Sequence, residues 1–302
     1  MHEGEPMKLG AFSDHRHLRL MDGRRLAYTE GGAPDGFPVF YFHGTPSSRL
    51  EAAFADDAAM RCGFRLIATD RPGFGQSDFQ HDRTLQSWPR DVLALADHLR
   101  INNFGVAGHS GGGAYLFSCG VSIDPARLRF IGALAPWGPI ASPEIMASLN
   151  RLDRGFADLA RRAPWIMKLG FAPMGWVATR RPQLLLRLLR GAVSPPDQRV
   201  LERPDVARAF SAMEREAFRQ GSRSAAQDAY LAYSDWGFDI ADNRVPIHMW
   251  IGDDDIFVTK AMGRYIARTV PQMNTHWIPR AGHLCFDAWN DIFAACRSEM
   301  TR

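Results

Sequence analysis

The sequence predicts an α/β fold: a mostly parallel eight-stranded sheet with helices on both faces and an inserted helical cap. Short apolar runs alternate with longer amphipathic segments in the first and last parts of the chain, a pattern typical of buried parallel strands joined by helices. The alternation stops between residues 138 and 244, where the periodicity is helical throughout. A chain of 302 residues is long enough for one large domain with such an insertion.

The first predicted element is a β-hairpin, because the runs HLRLM and RRLAYTE flank the turn residues Asp22 and Gly23. The next six strands are predicted from runs that are short, rich in β-branched or aromatic residues and ended by Gly, Pro or Asp. These runs cover residues 39–43, 65–70, 103–109, 130–136, 246–252 and 274–279. Amphipathic segments between them predict helices over residues 49–61, 85–100, 114–122, 259–269 and 285–298.

The inserted segment between the fourth and fifth of these six runs has a different character. Helical periodicity occurs over residues 145–162, 181–192 and 205–221. We expect the prolines at positions 164, 173, 182, 195, 196 and 204 to divide the region into short pieces. We therefore divide the chain into an α/β core, residues 1–137 and 245–302, and a helical cap, residues 138–244. Large apolar residues are frequent in the cap and at its borders: Trp137, Trp165, Met167, Phe171, Met174, Trp176, Phe210, Met213, Trp236 and Phe238.

Composition excludes several classes of protein. With 46% hydrophobic and 23% charged residues the chain resembles ordinary soluble proteins, and no apolar run approaches the roughly 18 residues of a membrane-spanning helix. A net charge of +3 is too small to indicate nucleic-acid binding. The polar first 20 residues lack the apolar core of a secretion signal, and the four cysteines form no C-x-x-C pair. We expect reduced thiols, a cytoplasmic location and no membrane partner; composition says nothing of the oligomeric state.

The run GHSGGG at residues 108–113 follows a predicted strand and precedes a predicted helix. Gly-x-Ser-x-Gly in that context is typical of a serine held on a sharp strand-to-helix turn. Glycines on both sides avoid collisions with the adjoining elements, and the N-terminus of the following helix favours a negative charge at the hydroxyl. Ser110 is therefore a candidate nucleophile.

A serine nucleophile needs a base within hydrogen-bond reach and a third group that orients the base. His283 follows the last predicted strand and precedes the last helix, so we expect it at the same carboxyl edge of the sheet as Ser110. The run GDDD at residues 252–255 leaves the preceding strand and offers an aspartate for the orienting role. The chain order serine, aspartate, histidine matches that of one known triad architecture.

With these motifs the sequence resembles the α/β-hydrolase family, in its esterase-like serine branch with a helical cap. The resemblance rests on HGTPSS at 43–48 as oxyanion loop, DRPGFGQSD at 70–78 as a common turn, GHSGGG as nucleophile turn, GDDD as acid loop, and AGH at 281–283. It implies that Asp255 is the triad acid, with Asp254 as the fallback. It also implies that the backbone amides of Thr45 and Gly111 form the oxyanion hole. We assign residues 70–77 mainly to structure, and expect Trp137 and His109 to contact the substrate.

A serine triad implies acyl transfer to water, with a small-molecule ester carrying an apolar acyl or alcohol part as the expected substrate. No step requires a metal or another cofactor. Relatives that open epoxides or remove halide carry Asp at the nucleophile position, so Ser110 argues against both. A proline-iminopeptidase-like enzyme, a carbon–carbon bond hydrolase and a non-catalytic ligand receptor on the same scaffold remain open alternatives.

Overall fold

The computed structural model describes residue 12, residues 14–149 and residues 151–300 of the chain. Most of the N-terminal segment that bears on the location lies outside these residues. All eight predicted strands are present and form one sheet. The strands are β1 (Arg16–Arg19), β2 (Arg25–Gly32), β3 (Phe37–Phe42), β4 (Phe64–Thr69), β5 (Phe104–His109), β6 (Leu128–Leu134), β7 (Ile247–Gly252) and β8 (Met273–Ile278).

The strand order is β1-β2-β4-β3-β5-β6-β7-β8. The hairpin of β1 and β2 pairs antiparallel within itself and with β4, and all other neighbours are parallel. The predicted mostly parallel sheet is thereby confirmed. Parallel strands end at the same edge of a sheet, so the loops after β3, β5, β7 and β8 come together there.

Each predicted helix outside the cap is present, although several begin or end with a short 3₁₀ turn. The helices are α1 (Asp56–Cys62), α2 (Trp88–His98), α3 (Gly112–Ser122), α11 (Lys260–Thr269) and α12 (Trp289–Cys296). The helix predicted over 49–61 is split, because a 3₁₀ turn at Arg49–Phe54 precedes α1. No helix in the described part of the chain is both long and apolar enough to cross a bilayer.

Between β6 and β7 the described residues contain helices and no strand, as predicted. They are α4 (Pro143–Ser148), α5 (Arg151–Arg162), α6 (Pro164–Arg180), α7 (Pro182–Arg190), α8 (Pro195–Glu202), α9 (Pro204–Ala217) and α10 (Arg223–Tyr233). Prolines occupy the first turn of most of these helices, where the missing N–H costs nothing. The expectation that every proline interrupts a helix is wrong for Pro173, which lies inside α6.

The sheet is covered on both faces. Alternate residues of a strand point to opposite faces, so Phe40 and Phe42 belong to one buried cluster, whereas Val39 and Tyr41 belong to the other. The first cluster includes Trp88 of α2, which packs edge-on against Phe42. The strands read as almost continuously apolar because both of their faces are buried.

Buried ion pairs connect residues 138–244, here named the cap segment, to the loops of the sheet. Asp228 of α10 accepts hydrogen bonds from Arg71 at 2.7 Å and from Arg83 at 2.5 Å, and all three side chains are at most 1% exposed. Glu216 of α9 pairs at 2.8 Å with Arg49, which also binds Asp70. The cap segment therefore packs on the core through charge pairs as well as through apolar contacts.

We predict that Asp228→Ala lowers the free energy of unfolding by about 3–5 kcal/mol, because it leaves two buried guanidinium groups without their counter-charge. Urea denaturation followed by circular dichroism measures this loss. Glu216→Ala is the matched control, since Arg49 keeps Asp70 as its partner and Glu216 is partly exposed. Equal losses of unfolding free energy in the two variants would contradict the conclusion that Asp228 is the more important counter-charge.

Candidate active site

Ser110 lies on the sharp turn between β5 and α3. Its backbone has a φ of 52°, a left-handed conformation that is strained for any residue with a side chain. The flanking glycines are required by space, because a Cβ atom on Gly108 or on Gly112 would lie within 2.6 Å of the Phe42 carbonyl oxygen. The predicted reason for the two glycines is thus confirmed, and the hydroxyl is held at the carboxyl edge of the sheet.

His283 and Asp255 are in direct contact. Nδ1 of His283 lies 2.8 Å from Oδ2 of Asp255, and both residues are less than 10% exposed. The other carboxylate oxygen of Asp255 accepts the backbone N–H groups of Phe257 and Val258 at 2.8 and 2.9 Å, which fixes its orientation. Asp254, the fallback, is exposed to solvent.

The charge of Asp255 controls the protonation of His283. Burial on its own disfavours the imidazolium, but Asp255 first, and then Asp197 and Glu51, together outweigh burial and raise the pKa of His283 above its ordinary value. The ring is held between His109, with a centroid distance of 4.8 Å, and Phe257, at 5.2 Å. Because Nδ1 faces Asp255, Nε2 is the nitrogen left to accept a proton. The structure contains no hydrogen bond between Ser110 and His283, although both line the same cavity.

The loop that carries His283 is held by Asp197 of α8, a residue that the sequence analysis missed. The Asp197 carboxylate accepts the backbone N–H groups of His283 at 3.0 Å and Leu284 at 2.7 Å, as well as the Ser194 hydroxyl at 2.8 Å. A side chain at position 282 would collide with this carboxylate, because a Cβ atom there would lie 2.4 Å away. The glycine of the AGH motif therefore makes room for a buried anion from the cap segment.

The backbone amides of Thr45 and Gly111 lie side by side near Ser110. A Cβ atom on Gly111 would be 3.2 Å from the Thr45 nitrogen and 2.5 Å from its Oγ1. Neither amide donates a hydrogen bond to any described residue. Two unoccupied N–H donors next to a serine hydroxyl are what an oxyanion hole requires.

Arg71 holds the loop of Thr45 in place. Its guanidinium donates to the carbonyl oxygens of His43 and Gly44 and to the Thr45 hydroxyl, which in turn donates to Asp228 at 2.7 Å. Burial and the positive charge of Arg71 lower the pKa of His43 to about 3, so this imidazole is neutral. The sequence predicts a mainly structural role for residues 70–77. Asp70 has such a role, because its carboxylate accepts the backbone N–H groups of Gln76 and Arg49. Arg71, by contrast, also contacts the loop of the candidate site.

A cavity of about 240 Å³ opens above Ser110 and His283. Trp137 and His109, both expected to contact the substrate, are in its wall; His109 Nε2 also lies 3.2 Å from the His283 carbonyl oxygen. A second cavity of about 410 Å³ shares Thr45, Trp137 and Phe257 with the first and is lined mainly by apolar side chains of the cap segment. The other large apolar residues noted in the sequence have several places. The first cavity is lined by Met174, Phe210 and Met213, and the second by Met167, Phe171 and again Met174. Trp176 is exposed, Trp236 packs on Phe238, and the side chain of Trp165 lies outside the described part of the structure.

Two buried carboxyl groups in the cavity wall were also missed by the sequence analysis. Glu51 accepts the Gly44 N–H at 3.0 Å and the Tyr41 hydroxyl at 3.0 Å. Burial opposes its charge, but His109 first, and then His43 and Ser47, together outweigh burial and lower the pKa of Glu51. Glu214 of α9 has no such partner: burial first, and then the charge of Glu51, raise its pKa well above the ordinary value. The surroundings therefore favour the charged form of Glu51 and the neutral form of Glu214.

The described residues contain no group of three or more His, Cys, Asp or Glu side chains arranged to hold a metal ion. The polar groups around Ser110 are instead a buried imidazole with its carboxylate, two free backbone amides and two carboxyls. Such an arrangement can transfer a proton from a hydroxyl and stabilise a developing oxyanion.

Comparison with known proteins gives a family for this arrangement. The family model described as "Alpha/beta hydrolase family" matches residues 36–295. A non-heme chloroperoxidase from Streptomyces lividans is 34% identical over 116 residues, covering 35% of this chain and 39% of that protein. A bifunctional epoxide hydrolase from Sus scrofa is 26% identical over 143 residues, covering 45% of this chain and 25% of that protein. The chain thus spans less than half the length of these relatives.

Solved structures agree over nearly the whole chain. An esterase from Exiguobacterium antarcticum superposes with a TM-score of 0.69 at 15% identity, covering 96% of this chain and all of that one. A hydrolase from Pseudomonas aeruginosa superposes with a TM-score of 0.67 at 20% identity, covering 95% and 98%. At these identities the superpositions establish the fold alone. The family model matches most of this chain, residues 36–295, and the chain therefore belongs to the α/β-hydrolase family.

Proposed function

We propose that the protein is a serine hydrolase that cleaves a carboxylic ester with an apolar acyl or alcohol part. Ser110 is the nucleophile, His283 the general base, Asp255 the orienting acid, and the amides of Thr45 and Gly111 the oxyanion hole. The observation that carries the proposal is the 2.8 Å contact of Asp255 with His283, which lines the same cavity as Ser110. Serine on the strained turn distinguishes this site from one built around an aspartate nucleophile.

The reaction follows from the positions of the donors and acceptors. His283 Nε2 takes the proton of the Ser110 hydroxyl while the serine oxygen attacks the ester carbonyl carbon. The carbonyl oxygen of the ester becomes negative and accepts hydrogen bonds from the Thr45 and Gly111 N–H groups. The imidazolium, stabilised by Asp255, returns the proton to the leaving alkoxide, which departs as the alcohol and leaves an acyl-serine. A water molecule, deprotonated by His283, attacks the acyl-serine; the acid is released and Ser110 recovers its proton.

The two adjoining cavities support an ester with an apolar part. The second cavity, lined by side chains such as Phe156, Phe171 and Met262, suits a hydrocarbon chain or ring. We infer that the cap segment forms a lid unit on the core of residues 1–137 and 245–302 and that it contributes most of this apolar wall. Trp137 and His109, which line the first cavity, would contact the substrate.

We predict that the wild type hydrolyses p-nitrophenyl esters from acetate to decanoate and that Ser110→Ala reduces this activity to the uncatalysed background. Release of p-nitrophenolate measures the rates, and circular dichroism checks that the variant is folded. A fluorophosphonate probe should label the wild type and not the variant. A wild type that neither turns over nor reacts with the probe would favour the ligand-receptor alternative; labelling without ester turnover would favour the peptidase or carbon–carbon hydrolase.

We also predict the pH dependence. His283 acts as a neutral base, so kcat/KM falls as the pH drops through its pKa, which Asp255 raises above the ordinary value. Asp255→Asn removes that charge, so the acid limb of the kcat/KM profile shifts to lower pH while the maximal rate falls by roughly three orders of magnitude or more. Asp254→Asn, at an exposed position, leaves both unchanged. An acid limb at the same pH in wild type and Asp255→Asn would rule out this pair as the titrating unit.

A further inference from the structure

The wall of the Ser110 cavity contains a buried carboxyl group that the proposed reaction does not use. Glu214 lies on α9, is 3% exposed, and lines the cavity together with Phe210, one helical turn before it, and the adjacent Met213. Its Oε2 atom is buried and has no hydrogen-bond partner among the described residues. A buried polar group without a partner is costly, by about 1–3 kcal/mol.

A second glutamate on the same helix shows that this lack of a partner is particular to position 214. Glu216, two residues later, faces the other way and pairs with Arg49 at 2.8 Å and with Gln76 at 3.2 Å. Glu214 instead faces the cavity, whose other titratable wall residues among the described ones are Glu51, His109 and His283. Glu51 accepts from Gly44 and Tyr41, and His283 contacts Asp255. His109 lies between these two residues, with Nε2 3.2 Å from the His283 carbonyl oxygen and Nδ1 3.5 Å from Glu51.

We propose that Glu214 is a substrate-binding residue whose carboxyl group donates a hydrogen bond to a neutral acceptor oxygen of the substrate, such as an ether or carbonyl oxygen. This inference rests on the proposed ester hydrolysis and narrows its substrate class. The preferred ester has one apolar arm, which the second cavity accommodates, and one arm with an acceptor oxygen that lies beneath α9. A protonated carboxyl has one O–H donor, whereas a carboxylate only accepts.

The surroundings of Glu214 favour the neutral form of its carboxyl group, which can donate a hydrogen bond. Burial in a mainly apolar wall disfavours its charge, and the ionised Glu51 nearby adds repulsion, so the pKa of Glu214 stays well above its ordinary value. Arg49, the cation on the segment against which α9 packs, is engaged by Asp70 and Glu216 and does not neutralise Glu214. A neutral acid in an apolar site is a known means of offering a hydrogen bond at neutral pH.

The test compares p-nitrophenyl hexanoate with three analogues in which oxygen replaces the methylene at carbon 3, 4 or 5. For the wild type and each variant, kcat/KM for the best oxa analogue is divided by kcat/KM for p-nitrophenyl hexanoate, which gives one ratio for each enzyme. Comparing this ratio between variants cancels the intrinsic reactivity of the esters. We expect the ratio to fall roughly 5- to 20-fold in Glu214→Leu, which has no donor, and to stay within about threefold in Glu214→Gln, which has an N–H donor.

Glu216→Gln is the matched control on the same helix and should leave the ratio unchanged. Thermal melting is the second readout: Glu214→Leu should be at least as stable as the wild type, because it removes a buried polar group that has no partner. An unchanged ratio in Glu214→Leu would overturn the inference, and so would a loss of preference in Glu214→Gln equal to that in Glu214→Leu. A wild-type preference for p-nitrophenyl 6-aminohexanoate that both variants abolish would also overturn it, since a carboxylate would then be binding a cation.

The binding arm of the test separates this inference from the proposed function. Calorimetric titration of Ser110→Ala, with and without Glu214→Leu, with ethyl hexanoate and its three oxa analogues reports recognition without hydrolysis. A preference that depends on Glu214 in this titration supports the inference even if wild type hydrolyses no ester, in which case only the proposed reaction fails. Equal affinities in both proteins, beside normal Ser110-dependent hydrolysis, would overturn the role of Glu214 alone.

Discussion

The buried pairing of Asp228 with Arg71 is the interaction on which the candidate site depends most. Arg71 binds the carbonyl oxygens of His43 and Gly44, so the position of the loop that presents the Thr45 N–H depends on the position of Arg71. Arg71 in turn is held by a carboxylate that lies 157 residues further along the chain, on α10. Two arginines, Arg71 and Arg83, share this one carboxylate, so the cluster carries a positive charge beside the loop. In a water-excluded site such a charge favours a negative charge that develops nearby.

The cap segment contacts the loops on both sides of Ser110. On one side Asp228 accepts from the Thr45 hydroxyl, and on the other Asp197 accepts the N–H groups of His283 and Leu284. Backbone N–H groups that are buried need an acceptor, and removal of the cap segment would leave these two without one. Its helices therefore position the groups proposed for catalysis, in addition to covering them. The cap segment thus acts on the site through the buried carboxylates of Asp197 and Asp228 as well as through its apolar side chains.

Local patterns explain which features were predictable from the sequence. The eight strands follow from short apolar runs with clear ends, and the turn at Ser110 follows from glycines whose absent side chains make room for Phe42. The contact of His283 with Asp255 follows from their positions after neighbouring parallel strands. By contrast Asp197, Glu214 and Asp228 lie on amphipathic helices, where acidic residues ordinarily face water. Only the tertiary arrangement turns them inward, so no periodicity in the sequence distinguishes them from surface residues.

The helix boundaries show the same division between local and tertiary causes. A proline at the first position of a helix is a local signal, and α7 and α9 begin where it predicts. Pro173 is the exception, since α6 continues through it and packs along its length on other helices of the cap segment, α10 among them. Contacts across the cap segment thus outweigh a backbone preference of about 3 kcal/mol.

The electrostatic character of the cavity limits the charge of what it can bind. Glu51 is ionised behind the loop of Gly44, and a substrate carboxylate near it would meet repulsion in a medium that screens charges poorly. A substrate cation would have to bring about the ionisation of Glu214 and exchange its own hydration for a mainly apolar wall. A neutral molecule incurs neither cost, and its apolar part gains from burial in the adjoining cavity of about 410 Å³. The groups that set the protonation of the wall therefore support the uncharged ester proposed as the substrate.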